Sequence, residues 1–181
     1  MKPEKRYWDS SVIIAYINEE RDRLETCKAI LDDAEQGKIR IYTSALSITE
    51  VLKYKGAKPI SKDKKEILRG FFQSDYITIV QLDRWVGFAA QELVWDNGIP
   101  PKDSLHVASA LHAEVDVMES YDNDDLTKKS KTVGSPPLEI REPKYAQLPL
   151  GLFHARTNEQ EKDEEESDTE EESAHFQRYA L

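Results

Sequence analysis

A single cysteine, Cys27, leaves no partner for an intramolecular disulfide and no thiolate set for a zinc cluster. Only four histidines are present, so a histidine-rich metal site has few candidates. No run of about 18 apolar residues occurs, which argues against a membrane-spanning helix. The N-terminus lacks the apolar stretch and cleavage site of a secretory leader, so a soluble cytoplasmic protein is the expectation.

What is abundant is negative charge, and it is unevenly placed. The formal net charge is -10, but residues 151–181 carry ten acidic and three basic side chains, a net of -7. That leaves a body of net -3 and an acidic tail. The run "EQEKDEEESDTEEES" has no apolar residue and is expected to be disordered. We therefore expect one domain over 1–150 and a tail over 151–181. The last residues, "AHFQRYAL", regain Phe176, Tyr179 and Leu181 and read as a frayed end or a docking peptide. If the tail competes with nucleic acid for basic surface, its removal raises affinity at low salt.

Hydrophobic periodicity places the elements. Tyr7–Asp9 ends a strand, followed by helices over 10–18 and 21–36, the second closed by Gly37. "IRIYT" (39–43) alternates as a strand does, and Ser44 is expected to cap a helix through Lys55. A further helix starts at Ser61, and "YITIV" (76–80) is a strand. Asp83 caps a helix to Asn97, stopped by Gly98. Trp85, Phe88 and Trp95 on it have the spacing expected of core residues. After Pro100–Pro101 a helix covers 102–114, then "VDVMES" and "LEIREP" read as strands. Strands alternating with helices predict a three-layer α/β/α sandwich with a mostly parallel central sheet.

Four acids fall at one edge of that frame. Asp9 and Asp122 follow strands, Glu50 lies in the helix after "IRIYT", and Asp103 is in the first turn of its helix. Ligands of open parallel sheets bind outside the carboxyl ends of the strands. Clustered carboxylates repel unless a cation joins them. An all-oxygen set suits Mg²⁺ or Mn²⁺, which can activate water for attack on a phosphodiester. Ser10 and Ser11 are placed to cap the next helix and orient Asp9. The bland reading of each acid is a solvated residue or helix cap, and "DNDD" also reads as a turn. His106, one turn after Asp103, reads first as a packed or surface histidine, with phosphate contact or support of Asp103 as alternatives. Lys53, Lys55, Lys58, Lys62, Lys64 and Lys65 form a basic run that is either a solvated face or a phosphate track.

The pieces "YWDSSVIIAYI", "IYTSALSITEVLKYK" and "PPKDSLHVASALHAEVDVMESYDNDD" occur in an order and spacing that resemble the PIN-domain nucleases, including VapC-type toxin ribonucleases, over about residues 6–125. The resemblance implies a metal-dependent endoribonuclease with Asp9, Glu50, Asp103 and Asp122 as the catalytic acids. It implies Mg²⁺ or Mn²⁺ on Asp9, Asp103 and Asp122, with Asp124 as an assisting acid. Ser120 stands where the family often has threonine, preserving the hydroxyl. Lys53, Lys55 and Ser10 are the candidate RNA contacts. RNA is the implied substrate and an antitoxin the implied partner, and a homodimer is open. A catalytically inactive RNA-binding or protein-interaction module is the competing reading, and a DNA-directed flap nuclease or exonuclease a third.

Overall fold

The computed structural model describes residues 2–52, 59–122, 126 and 132–145. Met1–Tyr145 form one compact unit. The acidic tail expected over 151–181 lies outside the described residues.

The chain runs β1 (Glu4–Trp8), α1 (Ser10–Ile17), α2 (Arg21–Glu35), β2 (Ile39–Ser44), α3 (Ser47–Glu50), a 3-10 turn (Lys62–Lys64), α4 (Lys65–Gln73), β3 (Ile77–Val80), α5 (Arg84–Asn97), α6 (Pro101–His112), β4 (Val117–Glu119), β5 (Thr132–Val133) and β6 (Leu138–Arg141). The six strands stand in the order β3-β2-β1-β4-β6-β5. All pairs are parallel except β5 with β6 at one edge.

Side chains alternate across β1, and the two helical layers follow from that. Trp8 enters one core with Val12, Ile13, Ile30, Ile41 and Phe71, under α1, α2 and α4. Tyr7 enters the other with Val86, Leu93, Val107, Met118 and Ile140, under α5 and α6. The expected three-layer α/β/α sandwich is the fold observed. Gly37 and Gly98, at φ 73° and 64°, stop α2 and α5 as expected, because a left-handed residue ends a helix at least cost when it is glycine.

Two expectations are corrected. The helix from Ser44 through Lys55 is shorter, with Ser44 still in β2 and α3 ending at Glu50. Ser44 nonetheless caps the turn, since its Oγ accepts from the Leu46 N–H at 3.1 Å. Trp85, Phe88 and Trp95 are not core: they are 60%, 59% and 67% exposed. The buried stripe of α5 is Val86, Ala90 and Leu93, on the opposite side of the helix. Its smaller residues let α5 lie close against the sheet and α6, which the bulky aromatics cannot. Among the described residues, no helix is long and apolar enough to cross a membrane.

Candidate active site

β1 and β4 are adjacent and parallel, with Trp8 opposite Glu119, so Asp9 and Ser120 leave the sheet side by side. Asp9 is the N-cap of α1 and only 5% exposed. Its Oδ1 accepts from Ser11 N at 2.9 Å, Ser11 Oγ at 2.6 Å and Val12 N at 3.2 Å. Ser120 Oγ donates to Asp9 Oδ2 at 2.6 Å and accepts from the Asp122 N–H at 2.9 Å. The Tyr121 N–H donates to Ser11 Oγ at 2.8 Å, closing the loop after β4 onto the start of α1. Burial raises the Asp9 pKa above the ordinary aspartate value, and the hydrogen bonds from Ser11, Ser120 and Val12 pull against it.

Glu50 reaches the same edge from α3. Ser10 Oγ donates to its Oε2 at 2.7 Å, and His106 Nε2 lies 2.7 Å from the same oxygen. Lys102 Nζ donates to Oε1 at 2.9 Å. Burial alone would raise the Glu50 pKa, but the His106, Lys102 and Ser10 donors outweigh it and hold the carboxyl at about 2. Asp103 lies in the first turn of α6, between Lys102 and His106, which both reach Glu50. Folding thus brings the ends of β1 and β4, α3 and the start of α6 to one edge.

A PIN-domain family model matches residues 6–131. The chain belongs to the PIN-domain family. No curated protein sequence matches it. Among solved structures, its fold is similar to a toxin–antitoxin complex from Klebsiella pneumoniae, at 12% identity and TM-score 0.52, covering 78% of this chain and 99% of that one. It is similar to Mycobacterium tuberculosis VapC20, a sarcin–ricin-loop-cleaving toxin, at 14% identity and TM-score 0.51, covering 66% and 91%. It is also similar to VapBC2 from Rickettsia felis bound to a promoter DNA fragment, at 15% identity and TM-score 0.53, covering 76% and 98%.

In this PIN domain, the expected residues are placed unevenly. Asp9 and Glu50 lie within one serine-linked network, joined through the adjacent Ser10 and Ser11. Asp122 joins it by its backbone, through Ser120. Asp124, Lys53 and Lys55 lie outside the described residues. Ser10 is buried, with its hydroxyl given to Glu50. Lys64 donates to the Ile17 carbonyl. Among the described residues, no three His, Cys, Asp or Glu side chains gather closely enough to hold an ion.

Three residues of the PIN-domain edge had weak sequence signals. His106 is buried as its bland reading held, and its ring nitrogens face Tyr7 and Glu50. Lys102, four residues earlier on the same helical face, was the available hint. Glu119, a fully buried acid in β4, accepts from Trp8 Nε1 at 2.8 Å and Arg6 at 3.2 Å, with Arg141 at 3.8 Å. Nothing in "VDVMES" separates it from an exposed strand residue.

Proposed function

We propose that this PIN domain is a Mg²⁺- or Mn²⁺-dependent endoribonuclease and the toxin of a toxin–antitoxin pair. The observation that carries the reading is the network that ties Asp9 to Ser120 and Glu50 to Ser10, His106 and Lys102 at the carboxyl edge of the sheet. The donor set fits the ion. Asp9 is a buried carboxylate held only by neutral hydroxyl and amide donors, with no ion pair among the described residues, and a cation would offset its desolvation. Mg²⁺ needs only one or two direct carboxylates and keeps its remaining waters, so three converging acids are not required.

When bound, the ion supplies charge stabilisation at the phosphoryl oxygens and an acidified water. The assignment gives Asp9, Asp103 and Asp122, assisted by Asp124, the holding of that ion. Ser11 and Ser120 fix the Asp9 carboxylate in one orientation. Glu50, ionised at neutral pH, only accepts hydrogen bonds, which suits it to orienting a water and excludes it as a proton donor there. The basic run that includes Lys62 and Lys65 supplies the attraction for RNA that an acidic edge lacks.

The partner reading is drawn from the toxin–antitoxin structures the fold resembles. A groove of about 690 Å³ lined by Ile48, Leu52, Leu68, Phe72 and Ile79, with Lys62, Lys65 and Arg69, suits an antitoxin segment with apolar and acidic residues. Cleavage of RNA with Mn²⁺, by wild type and by Asp9→Asn, tests the enzyme. Cleavage lost in Asp9→Asn supports it. Equal cleavage by both, or none by either with any divalent ion, ends the claim, and RNA binding without cleavage points to the inactive module instead.

A further inference from the structure

The hydrogen bonds behind Glu50 run deeper than the acids themselves. Tyr7 Oη lies 2.9 Å from His106 Nδ1, in the core between β1 and α6, and both residues are almost fully buried. On the other side of the ring, Nε2 lies 2.7 Å from Glu50 Oε2. A carboxylate offers only acceptors, so the ring nitrogen facing Glu50 must carry a proton. The other nitrogen then decides the charge of the ring. The phenolic O–H of Tyr7 faces Nδ1 and can donate to it, leaving that nitrogen bare. A second proton on the ring would place Nδ1–H against the Tyr7 O–H.

The Glu50 charge is also already matched. Lys102 holds Oε1 from the solvent side, and its side chain is 69% exposed. A charged imidazole would add a second cation at a site 2% exposed. A neutral ring satisfies every donor and acceptor in the chain Tyr7–His106–Glu50 without that cost.

We propose that His106 is a positioning residue: Tyr7 fixes it in the neutral tautomer protonated at Nε2, and that proton holds the Glu50 carboxylate facing the site. This rests on the nuclease reading for its kinetic consequence, but its structural half stands alone. Glu50 is on a helix of only four residues, α3, and His106 is on α6, which spans twelve. The bond therefore ties the orientation of a side chain on a short element to a longer, well-packed one. It also ties α3 to the turn that carries Asp103.

Two measurements on the full-length protein test the proposal. Imidazole ¹⁵N NMR at pH 7 reads the tautomer directly. The expected spectrum has one protonated and one bare nitrogen, with the proton at Nε2, and Tyr7→Phe shifts it toward a tautomer mixture. A proton at Nδ1 alone, or a doubly protonated ring, overturns the proposal whether or not the protein cleaves RNA. RNA cleavage with Mn²⁺ reads the consequence. His106→Leu is expected to lower kcat about tenfold or more with KM for RNA little changed, the size expected from losing one hydrogen bond to a charged group. His106→Gln, whose amide reaches toward Glu50 as Nε2 does, is expected to recover most of that loss. Equal kcat in wild type and His106→Leu, at matched thermal midpoints, overturns the positioning role. A wild type that fails to cleave with any divalent ion sinks the nuclease reading instead, and the NMR result still decides the tautomer.

Discussion

Ser120 Oγ lies 2.6 Å from Asp9 Oδ2, joining residues 111 positions apart in the chain. The same oxygen accepts the Asp122 N–H, so one hydroxyl orients the buried acid and the loop that follows β4. Ser120→Ala leaves both groups short of a partner in a fully buried place. The expected cost is about 1–3 kcal/mol. Urea unfolding at an unchanged m-value measures it, and Ser120→Thr, which keeps the hydroxyl, should stay near wild type. A Ser120→Ala protein as stable as wild type contradicts the assigned role.

Glu50 makes acid stability a readout of the site. Its folded pKa of about 2 lies below the 4.5 of an ordinary glutamate. The stabilisation from its partners is therefore fully present above pH 4.5 and is lost as pH falls through about 2. Thermal midpoints from pH 6 down to 2 should fall more steeply for wild type than for Glu50→Gln. Parallel curves would show that Glu50 has no favourable partners in solution.

Asp9 should couple metal to stability. An ion that binds only the folded chain raises stability by about 2.7 kcal/mol at 100 times its dissociation constant. Mn²⁺ should raise the thermal midpoint of wild type and leave that of Asp9→Asn nearly fixed. Equal shifts in the two proteins would place the ion elsewhere.

Glu119 carries the buried charge that the site does not use. Burial raises its pKa, while Arg6, Trp8 and Arg141 pull it down. Glu119→Ala leaves Trp8 Nε1 without its acceptor and Arg6 without its inner partner. A loss of about 3–5 kcal/mol is expected from breaking a buried pair on one side. Glu119→Gln retains an acceptor for Trp8 and should cost less. If both unfold with wild-type midpoints in urea, the network contributes nothing.

The exposed aromatics of α5 predict the opposite outcome. Trp85→Ser or Trp95→Ser in the monomer removes a side chain that is mostly in solvent. Such a change should alter stability by no more than about 0.5 kcal/mol. Unfolding of each variant checks this, and a loss of several kcal/mol would restore these residues to a core.

The sequence by itself determined the layers. The alternation in "IRIYT" and "YITIV", the cap at Asp83 and the stops at Gly37 and Gly98 are local signals, because backbone hydrogen bonding and side-chain period act over a few residues, whereas the cap expected from Ser10 and Ser11 is Asp9 itself, with both serines inside α1. It also placed Asp9, Glu50 and Asp103 on the elements where they are found. Tertiary structure alone decided which stripe of α5 is buried, since Val86 and Trp85 are equally apolar and only the closeness of α6 separates them. It alone decided the partners of Glu50, because Ser10, Lys102 and His106 come from two helices 40 to 56 residues away. Hydrogen bonds need groups within about 3 Å, and a linear pattern carries no information about which distant side chains meet at that range.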